Sequence, residues 1–213
     1  EVGLLDLRAD LSTPRAVTRV EVSDFLGSVS VSPTGERAVL YTTATELPRV
    51  TILDTSSADS FGAALRTENV RAPVRAAFVA PDDRTAIVAL RDQRGNTVTE
   101  AFALLPLDEA LPAKIQVTEA EVTGVAFSPP PTTSAVLISA SAVTSYVAHF
   151  PSLQVDGVKL SHLPLAAGVV PEERLAYVLQ SHPDGQLALI DLETAELRNL
   201  TGFELAGGVR DDR

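Results

Sequence analysis

The chain of 213 residues contains no cysteine, no methionine and no tryptophan, and only 5% of its residues are aromatic. The lack of cysteine excludes disulfides, thiolate zinc sites and cysteine nucleophiles. The lack of tryptophan argues against a sugar-binding protein, because sugar sites rely on stacking against aromatic faces. With seven Phe and three Tyr, the core must consist mainly of Val, Leu, Ile and Ala.

Basic residues are also scarce, since 28 acidic residues outnumber 17 basic ones and the net charge is −11. Such a surface repels phosphate backbones, so we expect no nucleic-acid partner. No apolar run approaches the roughly 20 residues that span a bilayer, so no transmembrane segment is expected. Only Lys114 and Lys159 are lysines, and this bias towards Arg is typical of a GC-rich bacterial genome. The chain begins at Glu1 without a signal-peptide pattern, which indicates a processed chain or a segment of a longer one.

A repeated unit runs through the sequence. Four segments each contain a short apolar strand, a proline followed by polar residues, and a second apolar strand. The prolines are separated by 48, 48 and 42 residues. Because proline fixes φ at the start of a turn, each segment is predicted to be a β-hairpin. The segments are 28–43, 76–91, 124–140 and 166–181, and their prolines are Pro33, Pro81, Pro129 and Pro171.

The second strands are almost entirely apolar, which is typical of strands buried on both faces between stacked sheets. A third apolar strand follows in each unit, at 49–54, 100–105, 145–150 and 186–191. A weaker fourth strand comes next, as at 114–117 and 197–200. Four strands in about 40–50 residues indicate the blade of a β-propeller. A β-sandwich with coincidental spacing is the alternative.

The predicted fold is therefore all-β, a β-propeller with four complete four-stranded blades and a partial blade. We expect it to be part of a larger ring, completed by missing blades or by a partner chain. The predicted boundaries are a blade fragment at 1–24, blades at about 25–72, 73–120, 121–164 and 165–202, and the start of a further blade at 203–213.

Two stretches resemble known propeller repeats. The sequence SPTGERAVLYTT at 32–43 resembles the WD40-like repeat of TolB-type propellers, whose blades carry a Ser-Pro-Asp-Gly turn. The sequence HPDGQLALIDLETAE at 182–196 resembles surface-layer-type propeller repeats. The four turns depart from that motif as Pro-Thr-Gly, Pro-Asp-Asp, Pro-Pro-Pro and Pro-Glu-Glu. The resemblance implies the blade fold but no particular activity, since propellers host many functions.

No pattern in the sequence predicts a catalytic, cofactor or metal site. The three histidines lack zinc-motif spacing, and neither a Gly-x-Ser-x-Gly elbow nor a phosphate-binding glycine loop occurs. Three acidic pairs lack the pattern of a calcium loop and are interpreted as solvated turn residues. The histidines are His149, His162 and His182, and the pairs lie at 82–83, 172–173 and 211–212.

Three functional hypotheses follow. The first is a non-enzymatic protein-interaction or structural scaffold in a bacterial envelope or extracellular assembly, located in the periplasm, at the cell surface or outside the cell. The second is the gating or substrate-access domain of a larger hydrolase. A lactonase-like propeller with a central metal is disfavoured, because the inner-strand positions that would carry its ligands are Val31, Phe78, Val125 and Gly168.

Overall fold

The computed structural model describes residues 2–5, 17–20, 22, 26–55, 65–108, 111–150 and 152–201. This part of the chain contains β-strands and connecting turns but no helix. The strands are β1 (Val2–Leu5), β2 (Val17–Val20), β3 (Ser28–Val31), β4 (Arg37–Tyr41), β5 (Arg49–Asp54), β6 (Leu65–Asn69), β7 (Val74–Val79), β8 (Thr85–Arg94), β9 (Thr97–Pro106), β10 (Lys114–Thr118), β11 (Gly124–Phe127), β12 (Ser134–Ile138), β13 (Thr144–His149), β14 (Gln154–Lys159), β15 (Pro164–Val170), β16 (Leu175–Gln180), β17 (Gln186–Asp191) and β18 (Leu197–Thr201).

These strands form four four-stranded antiparallel sheets and one two-stranded pair. Each sheet contains consecutive strands in sequence order: β3–β6, β7–β10, β11–β14 and β15–β18, which we term the first to fourth blades. The pair β1–β2 lies before the first blade. The first strands of the first and second blades, β3 and β7, contact each other, and so do those of the third and fourth blades, β11 and β15. The prediction of an all-β propeller with four complete blades and a partial one is confirmed.

Three apolar cores lie between successive blades, because both faces of the inner blades are apolar. The first and second blades bury Val39, Ile52, Val88 and Leu105 together. Between the second and third blades, the fully buried ring of Phe102 meets Tyr146 edge-on at a centroid distance of 5.6 Å. The third core joins the third and fourth blades. Stacking therefore buries the faces that successive sheets turn towards each other.

The second strands differ in how fully they are buried. All five residues of β12 are buried, and so are the first six residues of β8, as their apolar sequences predict. In β16, however, buried residues alternate with half-buried ones such as Tyr177 and Leu179. Only the face of β16 towards the third blade joins a buried cluster of described residues. The prediction that this strand is buried on both faces is therefore wrong within the described part of the chain.

Side chains close the turns between first and second strands. Ser32 Oγ accepts a hydrogen bond from the backbone N–H of Arg37, and Ser128 Oγ accepts from Thr133 and Ser134. These two serines precede the prolines of the first and third turns, which explains the Ser-Pro pairing as a turn-stabilising contact. The predicted start of a further blade at 203–213 lies outside the described residues.

Candidate functional site

The turns that follow the first strands lie at one end of the blades. We term the contact between the turns of two successive blades a joint, and two of the three joints carry hydrogen bonds. In the first joint, Thr34 Oγ1 donates to the carboxylate of Asp83 at 2.7 and 2.8 Å. In the second joint, the backbone N–H of Thr132 donates to Asp82 Oδ2 at 3.1 Å. Asp82 and Asp83 therefore connect neighbouring blades. Both residues lie in the turn where the sequence places them and are half-buried, and each carboxylate also has a partner in an adjacent turn.

The third joint is built differently. Among the described residues, no hydrogen bond or ion pair joins the turn of the third blade to that of the fourth. A groove of about 500 Å³ opens there instead. We term it the proline groove, and it is lined by Ser128, Pro129, Pro130, Pro131, Thr133, Ser134, His149, Phe150, Val169, Pro171, Arg174, Leu192 and Glu193.

The sequence of the third turn explains why the groove is open. Residues 129–131 are all proline, so the turn lacks three of the N–H groups that another turn would offer its neighbour. The next blade begins its own turn with Pro171. Three prolines of one turn and one of the other thus line a joint with few backbone donors. The turn itself is fixed by Ser128, and the backbone N–H of Phe150 donates to the carbonyl of Thr133 at 2.7 Å.

His149 lines the groove, and a carboxylate holds its ring. It ends β13, and its Nε2 lies 2.8 Å from Asp156 Oδ2 on the neighbouring strand β14. Because a carboxylate only accepts, Nε2 carries the proton and Nδ1 of the neutral ring is an acceptor. Ser134 is directly opposite His149 in the sheet and is 3% exposed. No hydrogen bond joins these two described side chains.

Charged groups of the fourth blade form the other wall of the groove. Arg174 Nη1 lies 3.1 Å from Glu193 Oε2, and both side chains are largely exposed. The neighbouring loop is held by Asp191, whose Oδ1 accepts from the backbone N–H groups of Glu193 and Thr194. The backbone hydrogen bond from Thr194, followed by that from Glu193, lowers the pKa of Asp191. The loop that presents Glu193 is therefore fixed by a charge-assisted turn.

The other two histidines lie together, away from the groove. The rings of His162 and His182 meet edge-on at a centroid distance of 4.8 Å. His162 Nδ1 lies 2.7 Å from the buried Gln186 Oε1, and His182 Nδ1 accepts from the backbone N–H of Asp184. In the part of the chain that the structure describes, no group of three or more histidine, cysteine or acidic side chains is arranged to hold a metal.

The inner-strand positions and the acidic pair at 172–173 differ in exposure. Val31 is 53% exposed on the first strand of its blade, whereas Phe78 and Val125 are half-buried on theirs. Gly168 lies beneath the ring of Tyr177. The turn residues Glu172 and Glu173 are exposed, between two residues that line the proline groove. The acidic pair at 211–212 lies outside the described residues.

The sequence interpretation missed the proline groove because it treated each turn as an isolated hairpin. The signal was present in the Pro-Pro-Pro turn, which departs from the donor-containing turns of the other blades. Whether such a turn forms a groove depends on which residues of the next blade lie opposite it. Those residues include Arg174 and Glu193, which belong to no sequence motif that would identify them.

Comparison with known proteins places the chain in a fold class. No protein-family model matches it, and no curated protein matches it in sequence. Among solved structures it is similar to hydrazine synthase from Kuenenia stuttgartiensis, with a TM-score of 0.52, 12% identity, and coverage of 89% of this chain and 58% of that one. It is also similar to the dihydro-heme d1 dehydrogenase NirN in complex with DHE, with a TM-score of 0.54, 15% identity, and coverage of 85% and 37%.

These similarities and the blade topology define the chain as a β-propeller domain. It spans little more than half of the hydrazine synthase chain and just over a third of the NirN chain. At 12% and 15% identity, the likeness concerns the fold and does not transfer an activity. Within the described residues, no helix is both long and apolar enough to cross a membrane.

Proposed function

We propose that this β-propeller domain is a non-enzymatic protein-interaction scaffold and that the proline groove is its docking site. The carrying observation is the third joint, where an open groove replaces the hydrogen bonds that close the other two joints. A rigid set of blades that presents a preformed cleft suits recognition without rearrangement.

The groove also has the composition of an interaction site. Its prolines Pro129, Pro130 and Pro131 are exposed, whereas Phe150 and Leu192 beneath are 8% and 5% exposed. An exposed apolar surface with a polar rim is typical of a contact that another molecule covers. His149, Arg174 and Glu193 provide that rim.

Site-specific photo-crosslinking tests this proposal. A photoreactive amino acid replaces the exposed Thr133 in the groove, and in a matched control it replaces Thr97, which is exposed at the tip of the β8–β9 hairpin. In extracts of the source organism, we expect one defined protein to be crosslinked from position 133 and not from position 97. Identical crosslinking patterns from both positions would contradict docking at the groove.

The proposal extends to the rest of the ring. The fourth blade turns five large half-buried side chains away from the third blade, and these belong to none of the buried clusters of described residues: Leu175, Tyr177, Leu179, Leu187 and Leu189. We propose that a further blade covers them, as each preceding blade is covered by the next. The intact mass of the native polypeptide tests this point, since a mass close to the 22.5 kDa of this chain would exclude further blades in the same polypeptide.

We assign the blades to WD40-like repeats of the TolB or surface-layer type, with Ser32 and Ser128 in the role of the turn serine. A location in the bacterial periplasm, at the cell surface or outside the cell is proposed with it. Fractionation of the source organism with an antibody against the chain tests this location.

A gating domain of a larger hydrolase is the second candidate. It is favoured by the lengths of the similar solved structures, because this chain covers only 58% of one of those chains and 37% of the other. The discriminating observation is whether the native gene also encodes an α/β domain with a Gly-x-Ser-x-Gly nucleophile elbow. A gene without such a domain would remove this candidate.

A further inference from the structure

We propose that the proline groove binds an extended peptide segment whose apolar side chain is flanked by Lys or Arg. This inference rests on the proposed docking function and adds the chemistry of the partner. It follows from the floor of the groove, the charges at its rim and the hydrogen-bonding capacity of His149.

The floor selects an apolar side chain. Phe150, Leu192 and Val169 contribute apolar surface, and the prolines of both turns lack N–H groups. A polar side chain inserted between them would lose its water without gaining donors, which is unfavourable. The volume of about 500 Å³ lies within the range of sites that take small ligands, so a large aliphatic or aromatic side chain can enter.

The turn that adjoins the rim is acidic. Glu172 and Glu173 lie between the groove-lining residues Pro171 and Arg174, and both are exposed without an ion pair in the described structure. Arg174, the cation of this wall, is already paired with Glu193. The carboxylates of this turn are therefore available to a cationic ligand, and the net charge of −11 adds long-range attraction for such a partner.

His149 adds an acceptor on the opposite wall. Asp156 accepts from Nε2 and so leaves Nδ1 of the neutral ring as an acceptor in a groove-lining side chain. An acceptor suits a ligand N–H, whether from the peptide backbone or from a Lys or Arg side chain. The acceptors His149 and Glu193 in the groove, with Glu172 and Glu173 on the adjoining turn, outnumber the one cation Arg174 among these charged and histidine side chains, and they complement a ligand that carries donors and positive charge.

Fluorescence anisotropy with three labelled peptides of equal length tests the proposal. The first has Phe between two Lys, the second has Phe between two Glu, and the third has Ser between two Lys. We expect saturable binding of the Lys-Phe-Lys peptide and at least tenfold weaker binding of the other two. Equal binding of both Lys peptides would overturn the proposal, because it would indicate general attraction to an acidic protein.

Two variants localise the binding. Thr133→Trp fills the groove from an exposed position, and Thr97→Trp adds the same side chain to a distant exposed site. We expect Thr133→Trp to abolish binding and Thr97→Trp to leave it unchanged. The double variant Glu172→Gln/Glu173→Gln, which alters only exposed side chains, is expected to weaken binding roughly two- to tenfold. Binding that survives Thr133→Trp would overturn the proposal.

The result separates this inference from the proposed function. If no peptide binds but crosslinking from position 133 still captures a partner, the domain docks proteins through the groove and the basic–apolar specificity is wrong. If the Lys-Phe-Lys peptide binds with the expected variant pattern, the specificity stands whichever native partner is captured.

Discussion

The aromatic ring of Tyr177 occupies the space above Gly168, its directly opposite residue on the neighbouring strand. A Cβ at position 168 would lie within 2.7 Å of Tyr177 Cε1 as well as overlapping the phenol oxygen. The glycine therefore provides room for a large side chain, and the pair defines the face that the fourth blade turns away from the third.

We predict that Gly168→Ala destabilises the domain by about 1–3 kcal/mol, because the Tyr177 ring must leave its position to avoid the new methyl group. Urea unfolding followed by tyrosine fluorescence measures the change. Gly157→Ala is the matched control, since a Cβ there meets only Thr144 Cγ2 at an ordinary 3.9 Å. Equal effects at the two glycines would contradict the role assigned to Tyr177.

The core between the second and third blades gives a second prediction. Phe102 is fully buried and contacts Tyr146, so Phe102→Ala is expected to lower the free energy of unfolding by about 3–5 kcal/mol. The control is Val98→Ala near the start of β9, where the side chain is 48% exposed. This substitution should cost less than about 0.5 kcal/mol. Denaturant unfolding of both variants checks the difference, and a small loss for Phe102→Ala would show that the blades do not share this core.

The joint between the first and second blades gives a third. Thr34→Val removes the hydroxyl that donates to Asp83, and Asp83→Gly removes both acceptor oxygens at a residue whose φ of 63° glycine tolerates. A double-mutant cycle is expected to give a coupling free energy of about 0.5–1 kcal/mol, since the pair is exposed. Strictly additive effects would show that the hydrogen bond does not hold the two turns together.

The loop beside the proline groove gives a pH-dependent prediction. Backbone N–H groups of Thr194 and Glu193 lower the pKa of Asp191 below that of the unfolded chain, which is about 3.9. The stabilisation is therefore fully present above that unfolded value and is lost as the pH falls through the lower folded value. Asp191→Asn should be less stable than the unsubstituted chain at pH 7, and the difference should shrink below about pH 4. Unfolding free energies measured across this range test it, and a difference independent of pH would contradict the assignment.

Much of the fold was predictable because blade formation depends on local patterns. The prolines at spacings of 48, 48 and 42 residues and the apolar second strands predicted the hairpins, and β8 and β12 are buried as expected. The half-buried face of β16 was not predictable from its sequence, because Tyr177 and Leu179 are as apolar as residues in a fully covered strand. Whether such a face is covered depends on what packs against it.

The candidate site was less accessible to sequence reasoning. Asp82 and Asp83 look alike in the sequence, yet one binds the following turn and the other the preceding turn. Likewise, His149 carries no motif spacing, and its orientation comes from Asp156 on a neighbouring strand. Each of these roles needs a partner that lies in another strand or blade.

The sequence by itself determined that the chain is all-β and predicted propeller blades, because apolar strands, turn prolines and repeat length are properties of contiguous residues. Only the tertiary structure decided which joints are closed by hydrogen bonds and which one is open. The donors at Thr34 and Thr132 find acidic partners in adjacent blades, whereas the three prolines at 129–131 offer no N–H groups across the third joint. That difference arises between residues about 40–50 positions apart, where blade packing sets the distance.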